Sequence, residues 1–439
     1  MRRDLRLSLG DAAGYGVMAG MAEVYVPAFG LALGMSPVLA GLLATLPLLA
    51  GGLIQLLAPR AIARVRSLRG WVAGCMVVQG LSLVPLVVIA LAGGPATPVL
   101  FLSASIYWAA GMGASAGWNP WMARVVPARI RGTFFGRRQG FSQGMMLVGL
   151  VGAGVALHAV AGTAHVHEVY AAMFAVATLS RLWCALMIAQ QGDGIAARPR
   201  RRMRLRSIPP RLRGTSYGAL FGYLIAALAA ASISGPFLTP YLLTERGFSY
   251  AEYSVVTATI VVAKIIALPV LGRVIHRTSV RRVLTICAFA ITPVPLLWAV
   301  SGSFTWLLGV QIYAGVAWGG FELGMLIALF DGEEDAERTT MQVAFSAMQA
   351  IGTAGASVLG GALLGALGSD HRAYVWVFVV SAIARFLAVV LLVRELPRYL
   401  MRLPAVVVAR AWTLAIRPWG GTIVRPIVEG IERLTRRDR

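Results

Sequence analysis

The sequence is poor in charge. Only 13% of its 439 residues are charged, 58% are hydrophobic, and the mean hydropathy is +0.74. A soluble domain has about 25% charged residues and could not bury this much apolar surface. A lipid bilayer accepts apolar side chains directly. The composition therefore excludes an ordinary soluble fold and indicates a membrane protein.

Lysine, cysteine and enzymatic motifs are also scarce or missing. Lys264 is the only lysine, and the three cysteines, Cys75, Cys184 and Cys287, all lie inside apolar runs. Such cysteines indicate neither a disulfide framework nor a metal site. The sequence contains no nucleotide-binding loop and no catalytic constellation. We therefore expect no enzyme activity, no cofactor, no metal and no nucleic-acid partner.

The sequence is rich in long apolar runs. A hydrocarbon core about 30 Å thick needs about 20 apolar residues per helix. This length criterion predicts an all-α membrane protein with twelve transmembrane helices. They lie near residues 12–33, 37–58, 70–92, 98–120, 134–158, 169–190, 215–243, 250–272, 283–301, 305–330, 339–366 and 373–393.

The net charge of +22 is concentrated in every second loop. Arginines cluster after the second, fourth and eighth spans and in the loop 191–214, whereas Arg246 and Arg372 are the only lysine or arginine residues in the opposite loops. By the positive-inside rule, both termini and the loop 191–214 are expected to be cytoplasmic. Heavy use of arginine and alanine favours a bacterial source, and hence the inner membrane.

The basic loop 191–214 divides the chain into two sets of six spans, residues 1–190 and 215–393. The tail, residues 394–439, mixes short apolar runs with arginines, and we expect it to lie on anionic lipid of the cytoplasmic leaflet. The two sets repeat in the same order: Gly34 matches Gly247, Pro85 matches Pro295, Ile106 matches Ile312, Arg131 matches Arg338 and Arg181 matches Arg385. Six spans per unit give a parallel repeat, that is, two six-helix bundles.

In these features the sequence resembles the major facilitator superfamily. The segment GRVIHRTSVRR, from Gly272 to Arg282, is similar to the family's loop after the eighth span, although His276 replaces the usual Asp. The segment from Trp118 to Gly140 is similar to a poorly characterised bacterial branch. The resemblance implies alternating access, with the first, fourth, seventh and tenth spans lining a central cavity. The drug–proton antiporter elements of the fourth and fifth spans are missing.

Three ionisable residues inside predicted spans are candidates for proton coupling: Glu23, Glu322 and Lys264. A charged group at the bilayer centre costs at least about 2.5–3.5 kcal/mol, so each requires a partner or a function. Lys264 is a candidate partner of either glutamate, or a contact for an anionic substrate. The alternative is a structural role for each, bonded to a neighbouring helix.

Polar and aromatic residues of the same spans are candidates to line the substrate cavity. They are Tyr107, Trp108, Asn119, Tyr313, Trp318, Gln342, Ser346 and Gln349. The last three share one face of a helix. Helix packing and interfacial anchoring are the alternatives for the aromatic residues. Arg181 and Arg385 fall on spans that the family uses as outer scaffold, and we expect them to snorkel or to bond to neighbouring helices.

Two loops that the repeat relates carry opposite charge. The loop after the fourth span has Arg124, Arg129 and Arg131, and the loop after the tenth has Asp331, Glu333, Glu334, Asp335 and Glu337. We expect these groups to form a cytoplasmic gate between the halves. The alternative is a solvated acidic loop, since an exposed ion pair contributes only about 0–1 kcal/mol.

Taken together, these features predict a monomeric secondary active transporter for a small organic solute, coupled to protons. One alternative is an exporter of drugs or lipids with the same fold. Another is a membrane assembly or sensor protein that uses the same scaffold without transport.

Overall fold

The structure is a computed structural model that describes residues 2–62, 64–65, 67–93, 96–126, 128–192, 216–330 and 335–395. Every regular element within these ranges is a helix. The all-α prediction is thereby confirmed. The tail 394–439 lies, apart from its first two residues, outside the described residues, as does most of the loop 191–214.

The first half of the chain supplies six helical spans, several of them interrupted. They are, in order, Arg2–Met18 with a π turn at Ala19–Glu23 and Val26–Ala32; Pro37–Leu43 with Pro47–Ile62; Leu68–Leu81 with Val84–Ala92; Thr97–Val125; Ala128–Ala159; and Val166–Ala189.

The second half supplies six more. The seventh span consists of Ser216–Ser232, a 3₁₀ turn at Gly235–Phe237, Leu238–Pro240 and a π turn at Tyr241–Glu245; then come Tyr250–Arg277, Val280–Ile291 with Val294–Val300, Phe304–Phe330, Asp335–Ala366 and His371–Glu395.

Ten helices of the described chain are long and apolar enough to cross a membrane. They coincide with ten of the twelve predicted spans. The first and tenth predicted spans are helical but are not among the ten.

The repeat is visible in the turn that follows the first and the seventh span. Gly34 and Gly247 both have positive φ, +82° and +64°. Glycine adopts this conformation without the steric cost that other residues incur. Two residues later, Ser36 and Ser249 cap the next helix, each accepting a hydrogen bond of 3.3 Å from the backbone three residues on. The predicted match between these two turns is confirmed in their geometry.

Proline interrupts the third and ninth spans at matching places. The helices that restart at Val84 and Val294 carry Pro85 and Pro295 in their first turn. Proline is tolerated there because the first-turn N–H groups have no helical partner. Each span is therefore divided at the same point of its bundle.

Small residues bring helices together within each half. A Cβ added at Gly20 in the first span would lie 2.7 Å from the backbone nitrogen of Leu150 in the fifth. A Cβ at Gly315 in the tenth span would lie 2.7 Å from the carbonyl oxygen of Ile260 in the eighth. Membrane helices associate through such close backbone contacts, because burial of apolar side chains drives them little in lipid.

The two sides of the bundle are distinguished by local bonds. The Asp4 carboxylate accepts from Gly192 N–H at 2.9 Å, and Arg69 Nη1 donates to the Gln191 carbonyl at 2.6 Å. We call this side, where the first span begins and the sixth ends, the basic face. The side that carries the turns at Gly34 and Gly247 is the opposite face.

The halves contact each other through hydroxyl groups and aromatic rings. Thr45 Oγ1 donates to Ser357 Oγ at 2.7 Å, and the Tyr253 hydroxyl donates to the Val24 carbonyl at 3.1 Å. The rings of Tyr25 and Tyr253 meet edge to face at 5.9 Å. The largest buried apolar cluster accordingly contains residues of both halves.

Candidate functional site

Glu23 is directed by the π turn in which it lies. A π turn contains one residue more than an α-helical turn. Residues five apart across a π turn therefore point in the same direction, as residues four apart do in an α-helix. Met18 and Glu23 are five apart and meet the same group: the Tyr107 hydroxyl donates to Glu23 Oε1 at 2.7 Å and lies 3.7 Å from Met18 Sδ. Tyr107 is buried and Glu23 is half-buried. The structure thus joins two residues that the sequence singled out separately.

The same register aligns a polar stripe along the first span. Asp11, Tyr15 and Met18 follow α-helical spacing, and the π turn brings Glu23 onto their side. We call Asp11, Tyr15 and Glu23 the polar stripe. Its partners come from three other spans: Arg138 of the fifth, Arg181 of the sixth and Tyr107 of the fourth.

The basic-face end of the stripe is a buried ion pair. Arg138 Nη2 contacts Asp11 Oδ2, and both side chains are almost fully buried. Arg138 Nε also donates to the carbonyl and hydroxyl oxygens of Ser8 at 3.1 Å, and the guanidinium lies 4.6 Å from the ring centre of Trp118. Sequence reasoning missed Asp11, because the apolar run begins after it. The helical pattern that continues back to Arg2 could have included it.

Arg181 and Arg385 are both 2% exposed, so the expectation that they snorkel is wrong. Arg385 bonds to neighbouring helices, which was the other expected alternative. Its Nη1 donates to the Ile291 carbonyl at 2.8 Å and its Nη2 to Ser234 Oγ at 3.3 Å. Arg181 instead lies 5.5 Å from the ring centre of Tyr15. The two repeat-related arginines therefore have different surroundings.

Lys264 and Glu322 form the ion pair that was one of the sequence alternatives. Lys264 Nζ lies 2.8 and 3.0 Å from the two oxygens of Glu322, so it donates to both. Their side chains keep 24% and 15% of their surface accessible. The pair is thus only partly buried.

Helix geometry gives the direction of Lys264. Ile266, two residues further on, is 67% exposed on the outer side of the bundle, and residues two apart in an α-helix point about 200° apart. Tyr253 is eleven residues earlier and shares the side of Lys264. Since Tyr253 contacts Val24 of the first half, Lys264 also faces the other half. Its accessible surface lies inside the bundle and not toward lipid.

Glycines of the tenth span hold this pair together. A Cβ at Gly319 would lie 3.2 Å from Cγ of Lys264, and one at Gly315 would lie 3.1 Å from its backbone nitrogen. Gly315 and Gly319 are four apart, so they form one groove on the helix into which the eighth span fits.

The aromatic candidates divide. Trp108 is half-buried and meets Tyr107 edge to face at 5.6 Å, next to Glu23. Trp318 is half-buried, with the Arg385 guanidinium 5.8 Å from its ring centre. Tyr313 is 39% exposed and donates to the Ala290 carbonyl of the ninth span at 2.7 Å. The structure therefore places Tyr313 on the outer side, away from Glu322.

The remaining candidates are only partly described. Ser346 and Gln349 are half-buried on the eleventh span. Asn119 and Gln342 lie in helices, but their side chains are outside the described residues. The same holds for the gate residues Arg124, Arg129, Arg131, Asp335 and Glu337, while Asp331, Glu333 and Glu334 are outside the described residues altogether. The gate stays a prediction.

A metal site finds no support in the described part of the chain, where no group of three or more His, Cys, Asp or Glu residues is arranged to hold an ion. At the opposite face, His165 Nδ1 and Glu168 Oε2 are 3.1 Å apart, and both side chains are about two-thirds exposed. An exposed pair of this kind contributes little.

Comparison with known proteins gives a family and a fold. Residues 219–428 match the Major Facilitator Superfamily. No curated protein matches the chain. Among solved structures, a point mutant of the nucleoside transporter NupG matches with a TM-score of 0.71 and 12% identity, covering 90% of this chain and all of that one. The nucleoside transporter NupG itself matches with a TM-score of 0.64 and 13% identity, covering 89% and 99%. A family match across the second half and a shared fold across nine-tenths of the chain's length together support a multi-pass membrane transporter of the major facilitator superfamily.

Proposed function

We propose that the chain is a secondary active transporter that moves a small organic solute across the bacterial inner membrane by alternating access, with protons coupled through Glu23. The observation that carries the proposal is the hydrogen bond of 2.7 Å from the Tyr107 hydroxyl to Glu23 Oε1. Ionisable groups inside membrane spans are kept where they have partners and a function. Glu23 has a partner and is only half-buried.

The bond suits both protonation states of Glu23. An ionised carboxylate accepts a strong hydrogen bond from the Tyr107 hydroxyl. A protonated carboxyl can still accept a hydrogen bond from it at the carbonyl oxygen. Neither state leaves the tyrosine hydroxyl without an acceptor. Since Glu23 keeps accessible surface, it can gain and lose a proton without unfolding its surroundings.

Alternating access is supported by the character of the contacts between the halves. Thr45 with Ser357, and Tyr253 with Val24, are neutral hydrogen bonds, each worth about 1 kcal/mol net. Such contacts can be broken and made again as two bundles rock about a central site. The Lys264–Glu322 pair faces the other half, and we assign it to the solute: charged groups of a solute would compete for its two partners.

The test is transport in proteoliposomes across a panel of metabolites, with and without an imposed pH gradient. Nucleosides belong in the panel, because the matched solved structures are of a nucleoside transporter. We expect the gradient to stimulate one flux, and Glu23→Gln to abolish that stimulation. Glu168→Gln makes the same chemical change at an exposed site and serves as the matched control.

The alternatives give different results in the same vesicles. Fluxes confined to drugs or lipids would favour an exporter. A complete absence of flux would favour the non-transporting assembly or sensor protein. If some solute moves but neither the gradient nor Glu23→Gln changes any flux, proton coupling through Glu23 is wrong.

A further inference from the structure

Gly154 of the fifth span lies at a point where the two halves meet. It is buried, and a Cβ added there would collide with the Cβ of Ser254 in the eighth span. The same added atom would lie 2.8 Å from the Tyr25 hydroxyl of the first span. The Ser254 Cβ is bonded directly to its backbone and cannot rotate away. Only glycine therefore allows the fifth and eighth spans to cross at this distance.

The second half supplies the equivalent glycine. Aligning the halves at Arg131 and Arg338 equates Gly154 with Gly361 of the eleventh span. A Cβ at Gly361 would lie 3.2 Å from Cγ1 of Val38 in the second span, so this glycine also packs against the other half. We call the two places, at Gly154 and at Gly361, the glycine crossings. The repeat thus brings the halves together twice, once through a glycine of each half.

An aromatic ring fills each glycine crossing. At the first, Tyr25 donates its hydroxyl to the Leu150 carbonyl of the fifth span at 2.7 Å, one turn before the glycine. At the second, the Phe237 ring of the seventh span lies 3.3 Å from a Cβ added at Gly361, and a Cβ at Gly41 of the second span would collide with it. Tyr25 and Phe237 are both fully buried. Neither crossing therefore has room for a further side chain.

A hydroxyl hydrogen bond joins the halves beside each glycine crossing. Tyr253, next to Ser254, donates to the Val24 carbonyl at 3.1 Å. Thr45 donates to Ser357, one turn before Gly361, at 2.7 Å. Both bonds are neutral, and the net contribution of such bonds is modest. They set the register of the halves without preventing their separation.

The two glycine crossings lie at the same depth. Gly154 is five residues before the end of its helix at Ala159, and Gly361 is five residues before the end of its helix at Ala366. Five residues of α-helix rise about 7.5 Å. Both helices end at the opposite face. The halves are thus in contact in one layer just beneath that face.

We infer that the glycine crossings are the gate of the opposite face: the bundle closes there because Gly154 and Gly361 lack a side chain, and a larger residue at either position holds that face open. The inference rests on the proposed alternating access and names the residues through which one side closes. Since each half moves as one body, a block at one crossing also keeps the other from closing. A local packing defect would not have this distant effect.

The test is hydrogen–deuterium exchange of the purified protein in lipid nanodiscs, with mass spectrometry of peptides from both crossings. We expect Gly154→Ala to raise exchange about tenfold or more at its own crossing and also at the second, in residues 36–45 and 354–366. Peptides from the basic face should not exchange faster. Gly152→Ala is the matched control on the same span, because a Cβ at Gly152 meets nothing within 4 Å, and we expect no change.

A compensating variant separates gating from instability. Adding Ser254→Gly to Gly154→Ala removes the atom with which the new methyl group collides, and exchange at both crossings should return to that of the wild type. If Gly154→Ala does not fold, Gly361→Val makes the same test at the equivalent glycine. Its control is Gly355→Val, since a Cβ at Gly355 also meets nothing within 4 Å.

Several outcomes overturn the inference. They are a rise confined to the mutated crossing, a rise in every peptide, an equal rise in the matched control, or no recovery in the compensating variant. Each of these leaves the transport proposal intact. If exchange responds as expected but wild-type vesicles move no solute, the transport proposal is the one that is wrong. The exchange experiment requires no solute, so the two failures are distinguishable.

Discussion

The two halves share a helical frame but bury charge in different places. In the first half, Asp11 and Arg138 pair between the first and fifth spans. Aligning Gly34 with Gly247 and Arg131 with Arg338 puts Leu224 and Phe345 at the equivalent positions. Both belong to one buried apolar cluster of the second half. One half therefore has an ion pair where the other has an apolar contact.

The difference is reversed where the second half carries Lys264 and Glu322. Aligning Gly34 with Gly247 and Ile106 with Ile312 puts Gly51 and Ala116 at the equivalent positions of the first half. A Cβ at Gly51 would lie 3.1 Å from the Trp108 carbonyl, so the second and fourth spans pack closely there without charge. The shared helical fold thus accommodates either an ion pair or an uncharged contact at each of these two places. Ion pairs that the fold does not require are candidates for function or specificity.

The largest expected effect breaks the charged site of the first half. Arg138→Gln should lower the free energy of unfolding by about 3–5 kcal/mol, because Asp11 stays buried without its partner. Thermal unfolding of the purified protein in detergent micelles measures it. The double variant Asp11→Leu with Arg138→Phe imports the residues of the second half and should recover most of the loss. A double variant as unstable as the single one would contradict the equivalence of the two sites.

A smaller loss of stability is expected at the glycines of the tenth span that pack against the eighth span. Gly315→Ala should cost about 1–3 kcal/mol through overpacking, because its Cβ would lie 2.7 Å from both the Ile260 carbonyl oxygen and the Ala263 Cβ. The equivalent residue of the first half is Ala109. The reverse change, Ala109→Gly, should cost about 1 kcal/mol or less through helix propensity alone. Equal costs in the same unfolding assay would mean that the two crossings are packed alike.

The smallest effect concerns the partly buried pair of the second half, Lys264 and Glu322. Lys264→Ala should lower the free energy of unfolding by about 1–2 kcal/mol, between the values of exposed and buried pairs, since both side chains keep accessible surface. Adding Glu322→Ala should restore part of the loss, because the unpaired carboxylate is removed. A double-mutant cycle on unfolding free energies measures the coupling. Additive costs would show that the pair contributes nothing as a pair.

Much of the frame was predictable from the sequence because the signals are local or repeated. Apolar run length predicted the helices, and the repeated glycine and proline positions predicted that the two halves match. The structure adds that these positions are turns and helix breaks. Lys264 and Glu322 were predicted as one candidate pair, because a lone cation and a carboxylate in neighbouring spans each need a partner in lipid. Their contact bears this out.

The arrangement around Glu23 was not predictable in the same way. Met18, Glu23 and Tyr107 meet only because a π turn shifts the register of the first span, and α-helical spacing does not reveal that shift. Tyr313 was chosen for its type and span, yet it points outward, because direction depends on which helices pack beside it.

The sequence by itself determined that this protein is a membrane-embedded helical scaffold with a two-fold repeat, because apolar run length and ordered repeats do not depend on distant contacts. Only the tertiary structure decided which charges are partners. A buried charge is stabilised by whatever neighbouring helices present to it, and Arg181 and Arg385 occupy matching positions in the sequence but meet different groups. Their difference follows from the packing of each bundle and not from either arginine.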